Sequence, residues 1–205
     1  MAAGICTSVA CAWRARSRER ATGCYDRSFD LQLARMKGTV ILSHGLESGP
    51  NATKVSALAK VAEALGWDSV RPDYLDIDAR KDPRAIDARV ARALANTPGE
   101  GRVVFGGSSM GSFVSGFASI EHACAGLFLL ALPLEIPGYW RRFSAADVPT
   151  AMVHGWNDEL CPVDAAIDFA RAHGASLHLV PDDHRLSAHV DFCADVFRRF
   201  LTELG

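Results

Sequence analysis

From residue 39 onward the apolar positions of the chain alternate between two spacings. Thr39–Ser43 is a short run with little polar interruption, as a parallel strand buried on both faces requires. Residues 52–65 then switch to a helical period, with Val55, Leu58, Ala59, Ala62 and Leu65 on one face and Gly66 placed to end it. The alternation repeats. Residues 68–71 read as a second strand stopped by Pro72, and 83–94 as a second helix capped by Asp82, with Ile86, Val90 and Leu94 on one face. A third strand and helix follow at 103–105 and 110–119, then strands at 126–132, 150–154 and 177–180 and helices at 163–173 and 188–204. Six strands joined by helices predict an α/β fold: a mainly parallel six-stranded sheet with helices on both faces, a three-layer α/β/α sandwich. Ligands on such sheets bind beyond the carboxyl ends of the strands, so chemistry is expected just after each strand.

Residues 1–35 break the pattern. Their basic side chains are all arginines (Arg14, Arg16, Arg18, Arg20, Arg27 and Arg35), and neither apolar period is sustained. The arginines follow a weak apolar run at 2–13 instead of preceding it, the wrong order for a secretory signal. A disordered arm is therefore expected over 1–35 and one folded domain over 36–205, with Met36 a candidate translation start. A native N-terminal peptide beginning before Met36 would reject that start. With 205 residues, 49% of them apolar, and a net charge of −2, the chain is sized for one well-buried domain and its charge points to no nucleic-acid partner. No run approaches the roughly 18 apolar residues that span a bilayer, so no membrane partner is expected. Cys6, Cys11, Cys24, Cys124, Cys161 and Cys193 show no C-x-x-C or zinc spacing. Free thiols in a reducing, cytoplasmic setting, with no metal, are the expectation.

The third strand ends in Gly107-Ser108-Ser109-Met110-Gly111, which fits G-x-S-x-G only with Ser109 at the centre. That pattern describes a nucleophile on a sharp strand-to-helix turn, its glycines needed where strand and helix nearly touch. The alternative, a Gly/Ser-rich turn with no chemistry, is left to the rest of the chain. After the first strand comes Ser43-His44-Gly45-Leu46, where a small residue lets the backbone curl toward the turn, so the amides of Leu46 and Met110 are candidates to hold an oxyanion. For His44 a structural role, holding its loop by a hydrogen bond, is preferred to a catalytic one; its position groups it with the pocket-lining candidates. After the fifth strand Asp158 is the candidate acid, with Glu159 the alternative, since Asp164 is better placed to cap the next helix. After the sixth, His184 is the candidate base and His189 its rival, the latter expected on a helix capped by Ser187. Leu134, Ile136, Tyr139 and Trp140 are either an apolar substrate wall or ordinary packing.

The order Ser, Asp, His, each directly after its own strand, is that of one fold. On His44-Gly45, Gly107-Ser108-Ser109-Met110-Gly111, Gly155-Trp156-Asn157-Asp158 and Asp183-His184-Arg185-Leu186, the sequence resembles the α/β-hydrolase family over residues 39–204. Its size and the Asp-His-Arg-Leu stretch are similar to small bacterial esterases of the YqiA type. The resemblance implies hydrolysis of carboxylic esters or thioesters of small to medium acyl groups, without a cofactor, by Ser109, His184 and Asp158. The sequence departs from relatives at Cys161, where valine is frequent, and in its brief connection over 132–148, which leaves no room for a large lid. A peptidase or amidase would use the same three groups, and a binding protein that kept the fold and lost the activity is a further alternative. A DNA-binding role for the arginine-rich arm is opposed by the interspersed Glu19, Asp26 and Asp30. No feature of the sequence addresses the oligomeric state.

Overall fold

The structure is a computed structural model and describes residues 37–82 and 84–205. The expectations for the arm at 1–35, the start at Met36, Cys6, Cys11, Cys24 and Pro83 lie outside the described residues. The elements in order are β1 (Thr39–Ser43), α1 (Thr53–Ala64), β2 (Asp68–Val70), α2 (Leu75–Asp78), α3 (Ile86–Ala95), β3 (Val103–Ser108), α4 (Met110–Glu121), β4 (Gly126–Leu130), β5 (Thr150–Gly155), α5 (Val163–His173), β6 (Ser176–Val180), a single 3₁₀ turn (Ser187–His189) and α6 (Val190–Leu204). All six strands are parallel, in the order β2-β1-β3-β4-β5-β6.

Strand alternation divides the core into two layers. Val40, Leu42, Val104, Phe128, Leu130, Ala151 and Val153 face α1 and α6. The intervening Ile41, Val103, Phe105, Leu127, Leu129 and Met152 face α3, α4 and α5. Every residue of β3 and β4 is buried, which is why these strands read as unbroken apolar or small-residue runs.

Beyond shifts of a few residues at strand and helix ends, three departures from the sequence reading have local reasons. The second helix begins at Ile86, not 83, because Asp82 organises a separate turn: its Oδ1 accepts the Arg84 N–H at 3.0 Å and its carbonyl the Ala85 N–H at 3.0 Å. The last helix begins at Val190, after a 3₁₀ turn whose entry residue Leu186 is left-handed (φ 51°). α2 went unread because it is a single turn with only Ile77 buried.

Candidate active site

Ser109 forms the N-terminal junction of α4, with φ 55° and ψ −122°. These are the angles of the first central residue of a type II′ turn, a position dominated by glycine. The glycines flanking it are required by contact. A Cβ on Gly107 would lie 2.3 Å from the Gly111 carbonyl carbon, and one on Gly111 would lie 2.0 Å from Ser43 O. Ser112 fastens the turn from inside. Its Oγ lies 2.8 Å from Gly107 O and 2.9 Å from Leu130 O, and it accepts the Leu130 N–H at 3.0 Å.

Ser109 follows β3 while His184 follows β6, three strand spacings or about 14 Å away across the sheet. The loop after β6 closes that distance by folding inward over the tip of β5. Gly155 permits it: a Cβ there would sit 2.4 Å from Asp182 O and 2.7 Å from Asp183 O. The Trp156 N–H then donates to Val180 O at 2.8 Å and the Asn157 N–H to Asp182 O at 3.0 Å, so the loops after β5 and β6 are sewn together. From the other side Lys54 Nζ donates to Arg185 O at 2.5 Å.

The result is one continuous line of hydrogen-bonding distances. His184 Nε2 lies 2.8 Å from Ser109 Oγ. His184 Nδ1 lies 2.8 Å from Asp158 Oδ2 and 3.0 Å from Oδ1. A carboxylate only accepts, so Nδ1 carries the ring proton of the neutral imidazole and Nε2 is free to accept from the serine hydroxyl. Burial alone would push the Asp158 carboxyl up, yet the hydrogen bonds from His184 and the Cys161 N–H hold it below the usual carboxylate range. Asp158 is buried, whereas Ser109 and His184 are partly open to solvent. The rival base is engaged elsewhere: His189 Nδ1 lies 2.9 Å from Asp182 Oδ2. Glu159 is exposed and makes no side-chain hydrogen bond among the described residues.

Leu46 lies on the loop after β1, which passes close to the serine turn, since a Cβ on Gly45 would be 3.2 Å from Ser108 O. Met110 opens α4, where the first N–H groups have no intrahelical acceptor. The remaining pocket candidates separate. His44 is fully buried. Its Nδ1 lies 2.8 Å from Gly45 O, and its Nε2 accepts the Tyr74 N–H at 3.1 Å, which fastens the β1 loop to the start of α2. Burial lowers its pKa. Leu134 packs against the core. Tyr139 is buried, meets Phe113 and Phe117 edge-on and donates to Asp87 Oδ1 at 2.6 Å. Ile136, Tyr139 and Trp140, with Arg141 and Arg142, line a cavity of about 520 Å³ that touches neither Ser109 nor His184.

Among the described residues one group could offer a metal three ligand atoms: Asp158, Cys161 and His184, within 4.8 Å of one another. Burial, aided by the Asp158 charge, pushes the Cys161 thiol up to about 12, so it is an S–H at neutral pH. The other two are already bonded to each other. No helix among the described residues is long and apolar enough to cross a membrane.

Sequence reasoning gave no role of their own to Gly155, Ser112 and His154. Gly155 and His154 stand in the acid-loop stretch; Gly155 meets backbone of the loop after β6, and His154 meets the loop that follows its own strand.

No protein-family model and no curated protein sequence matches the chain. Solved structures do. A Xanthomonas campestris pv. campestris protein assigned to the alpha/beta superfamily of hydrolases is 42% identical, with 81% of this chain and 99% of that one covered and a TM-score of 0.78. Est1E from Butyrivibrio proteoclasticus is 15% identical over 83% of this chain and 89% of its own, with a TM-score of 0.64. A lidless α/β serine hydrolase from Xanthomonas campestris is 19% identical over 82% of each chain, with a TM-score of 0.62. The two distant structures share the fold. The first, covered almost end to end at 42% identity, joins with the parallel sheet and the serine turn to show that this chain belongs to the alpha/beta hydrolase superfamily.

Proposed function

We propose that this hydrolase cleaves carboxylic esters or thioesters of small to medium acyl groups through a Ser109–His184–Asp158 triad and an acyl-enzyme. The observation that carries the proposal is the unbroken contact from Ser109 Oγ to His184 Nε2, and from Nδ1 to the buried Asp158 carboxylate. In the first half-reaction Ser109 Oγ bonds to the substrate carbonyl carbon while His184 Nε2 takes its proton. The charge that appears on the carbonyl oxygen is met by the amides of Leu46 and Met110, and the imidazolium by Asp158. His184 then returns the proton to the leaving alcohol or thiol. Water repeats the sequence on the acyl-serine, releasing the acid. A small cytoplasmic bacterial esterase of the YqiA type is the subfamily this reading favours, acting on a small-molecule ester with neither a nucleic acid nor a membrane as partner.

The test is a series of p-nitrophenyl esters of increasing acyl length. Turnover should be highest for short and medium acyl groups, be absent in Ser109→Ala, and be abolished by a fluorophosphonate that labels Ser109. Turnover undiminished in Ser109→Ala would refute the assignment of the nucleophile.

A further inference from the structure

His154 stands at the end of β5, one residue before the loop that carries Asp158. It shares strand parity with Met152 and so lies on the side of the sheet covered by α3, α4 and α5. The side chain is fully buried. Its Nε2 lies 2.8 Å from Cys161 O and 3.3 Å from Asp158 Oδ2. Both neighbours are acceptors, so the proton of the neutral ring is on Nε2. Nδ1 is then a buried acceptor with no partner among the described residues. Packing does not explain this choice of residue: a leucine or methionine would occupy the space without leaving a ring nitrogen unsatisfied. What the histidine alone supplies is an N–H between Cys161 O and the carboxylate.

We propose that His154 is a positioning residue for the acid, its Nε2–H latching the 158–161 turn so that Asp158 keeps its aim at His184. This assignment rests on the role of Asp158 proposed above. The turn is closed from within by Oδ1, which accepts the Leu160 N–H at 3.0 Å and the Cys161 N–H at 2.8 Å. His154 closes it from beneath. It holds the carbonyl at one end of the turn and stands beside Oδ2, the oxygen nearer His184 Nδ1, at the other. These contacts are made behind the carboxylate, on the strand side. Their loss should therefore lower kcat, since the acid acts as the imidazolium forms, and leave KM in place.

The test compares two substitutions of nearly equal length and volume. Glutamine carries an amide N–H about as far from Cβ as the imidazole Nε2, whereas methionine carries no donor. On p-nitrophenyl butyrate His154→Gln should keep kcat within about threefold, and His154→Met should lose about 100-fold, with KM in both within about twofold of wild type. Equal kcat in the two variants, or a loss confined to KM or to the melting temperature, overturns the proposal. If the methionine variant does not fold, the glutamine variant decides alone: retained kcat supports the latch and a hundredfold loss overturns it. Nitrogen-15 ring shifts of the free wild-type protein add a test that needs no substrate. They should find a proton on His154 Nε2, and an Nε2 without one overturns the proposal. A wild type that turns over the ester while Ser109→Ala does not upholds the hydrolase reading whichever way the His154 variants fall. A wild type with no turnover refutes that reading, and the ring shifts still decide the tautomer.

Discussion

Replacing Ser109 with glycine should leave the protein more stable than replacing it with alanine, although both remove the proposed nucleophile. Both variants lose the same hydrogen bond, the 2.8 Å contact to His184 Nε2, so the difference between them isolates the backbone. At φ 55° and ψ −122° any side chain with a Cβ is strained, by about 1–3 kcal/mol. Glycine relieves that strain but gives the unfolded chain more freedom, which returns about 0.4–1 kcal/mol. The net advantage of Ser109→Gly over Ser109→Ala is therefore about 0.5–2 kcal/mol. For a domain of this size it corresponds to about 1–8 °C in the melting temperature. Calorimetry and urea unfolding at pH 7 would measure it. Equal stability, or an alanine variant more stable than the glycine one, would mean that the serine turn stores no more strain than the about 0.4–1 kcal/mol that glycine's extra freedom in the unfolded chain returns. The comparison also bears on function, because a strained nucleophile retained against its own stability is what a site selected for chemistry looks like.

Three further outcomes follow from the same geometry. If the proposed triad acts, Asp158→Asn should lower kcat by about 10⁴, the order this change has in a Ser-His-Asp protease, while His189→Ala, which loses only its contact to Asp182, should leave activity within about threefold; steady-state kinetics separates the two. Gly155→Ala should lower kcat by about 100-fold, because a Cβ 2.4 Å from Asp182 O must push the acid and base loops apart, and a crystal structure of the variant should find His184 displaced from Ser109. Buried His44 has its pKa lowered, so below about pH 6.5 the unfolded chain binds a proton that the folded chain does not, and stability falls as pH drops, by up to about 1.4 kcal/mol per pH unit from this group. In His44→Gln the slope of unfolding free energy between pH 7 and 5 should be shallower, by at most one proton, and an unchanged slope would refute a lowered His44 pKa.

What the sequence discloses and what it hides divide along a physical line. The strands read at 103–105 and 126–132, observed at Val103–Ser108 and Gly126–Leu130, are legible because a strand covered on both faces must be apolar or small at every position, and that demand is local. Ser109 is legible because the steric needs of its turn fall two residues before and two after it, at Gly107 and Gly111, so one short window holds both the nucleophile and its reason. Asp158 and His184 are legible by position alone, as polar residues just beyond strands. Beyond these the demands come from elsewhere in the chain. Gly155 is a glycine because of backbone at Asp182 and Asp183, about 27 residues on. The clearance that lets a base after β6 reach a serine after β3 is therefore written as a missing side chain on β5. His154 lies against Cys161 O and the Asp158 carboxylate, seven and four residues on, while its immediate neighbours on the strand are apolar, so the latch proposed for it shows only in the folded chain. Ile136 and Tyr139 pose the converse problem, since an apolar loop reads alike whether it walls a substrate or covers the core, and the edge-on packing of Tyr139 on Phe113 and Phe117 puts it with the core. The parts of the site readable in one dimension are thus those whose constraints close within a turn. The cleared strand tip depends on backbone of the loop after β6, the proposed latch on partners four and seven residues on, and the signature of each in sequence is one unremarkable residue.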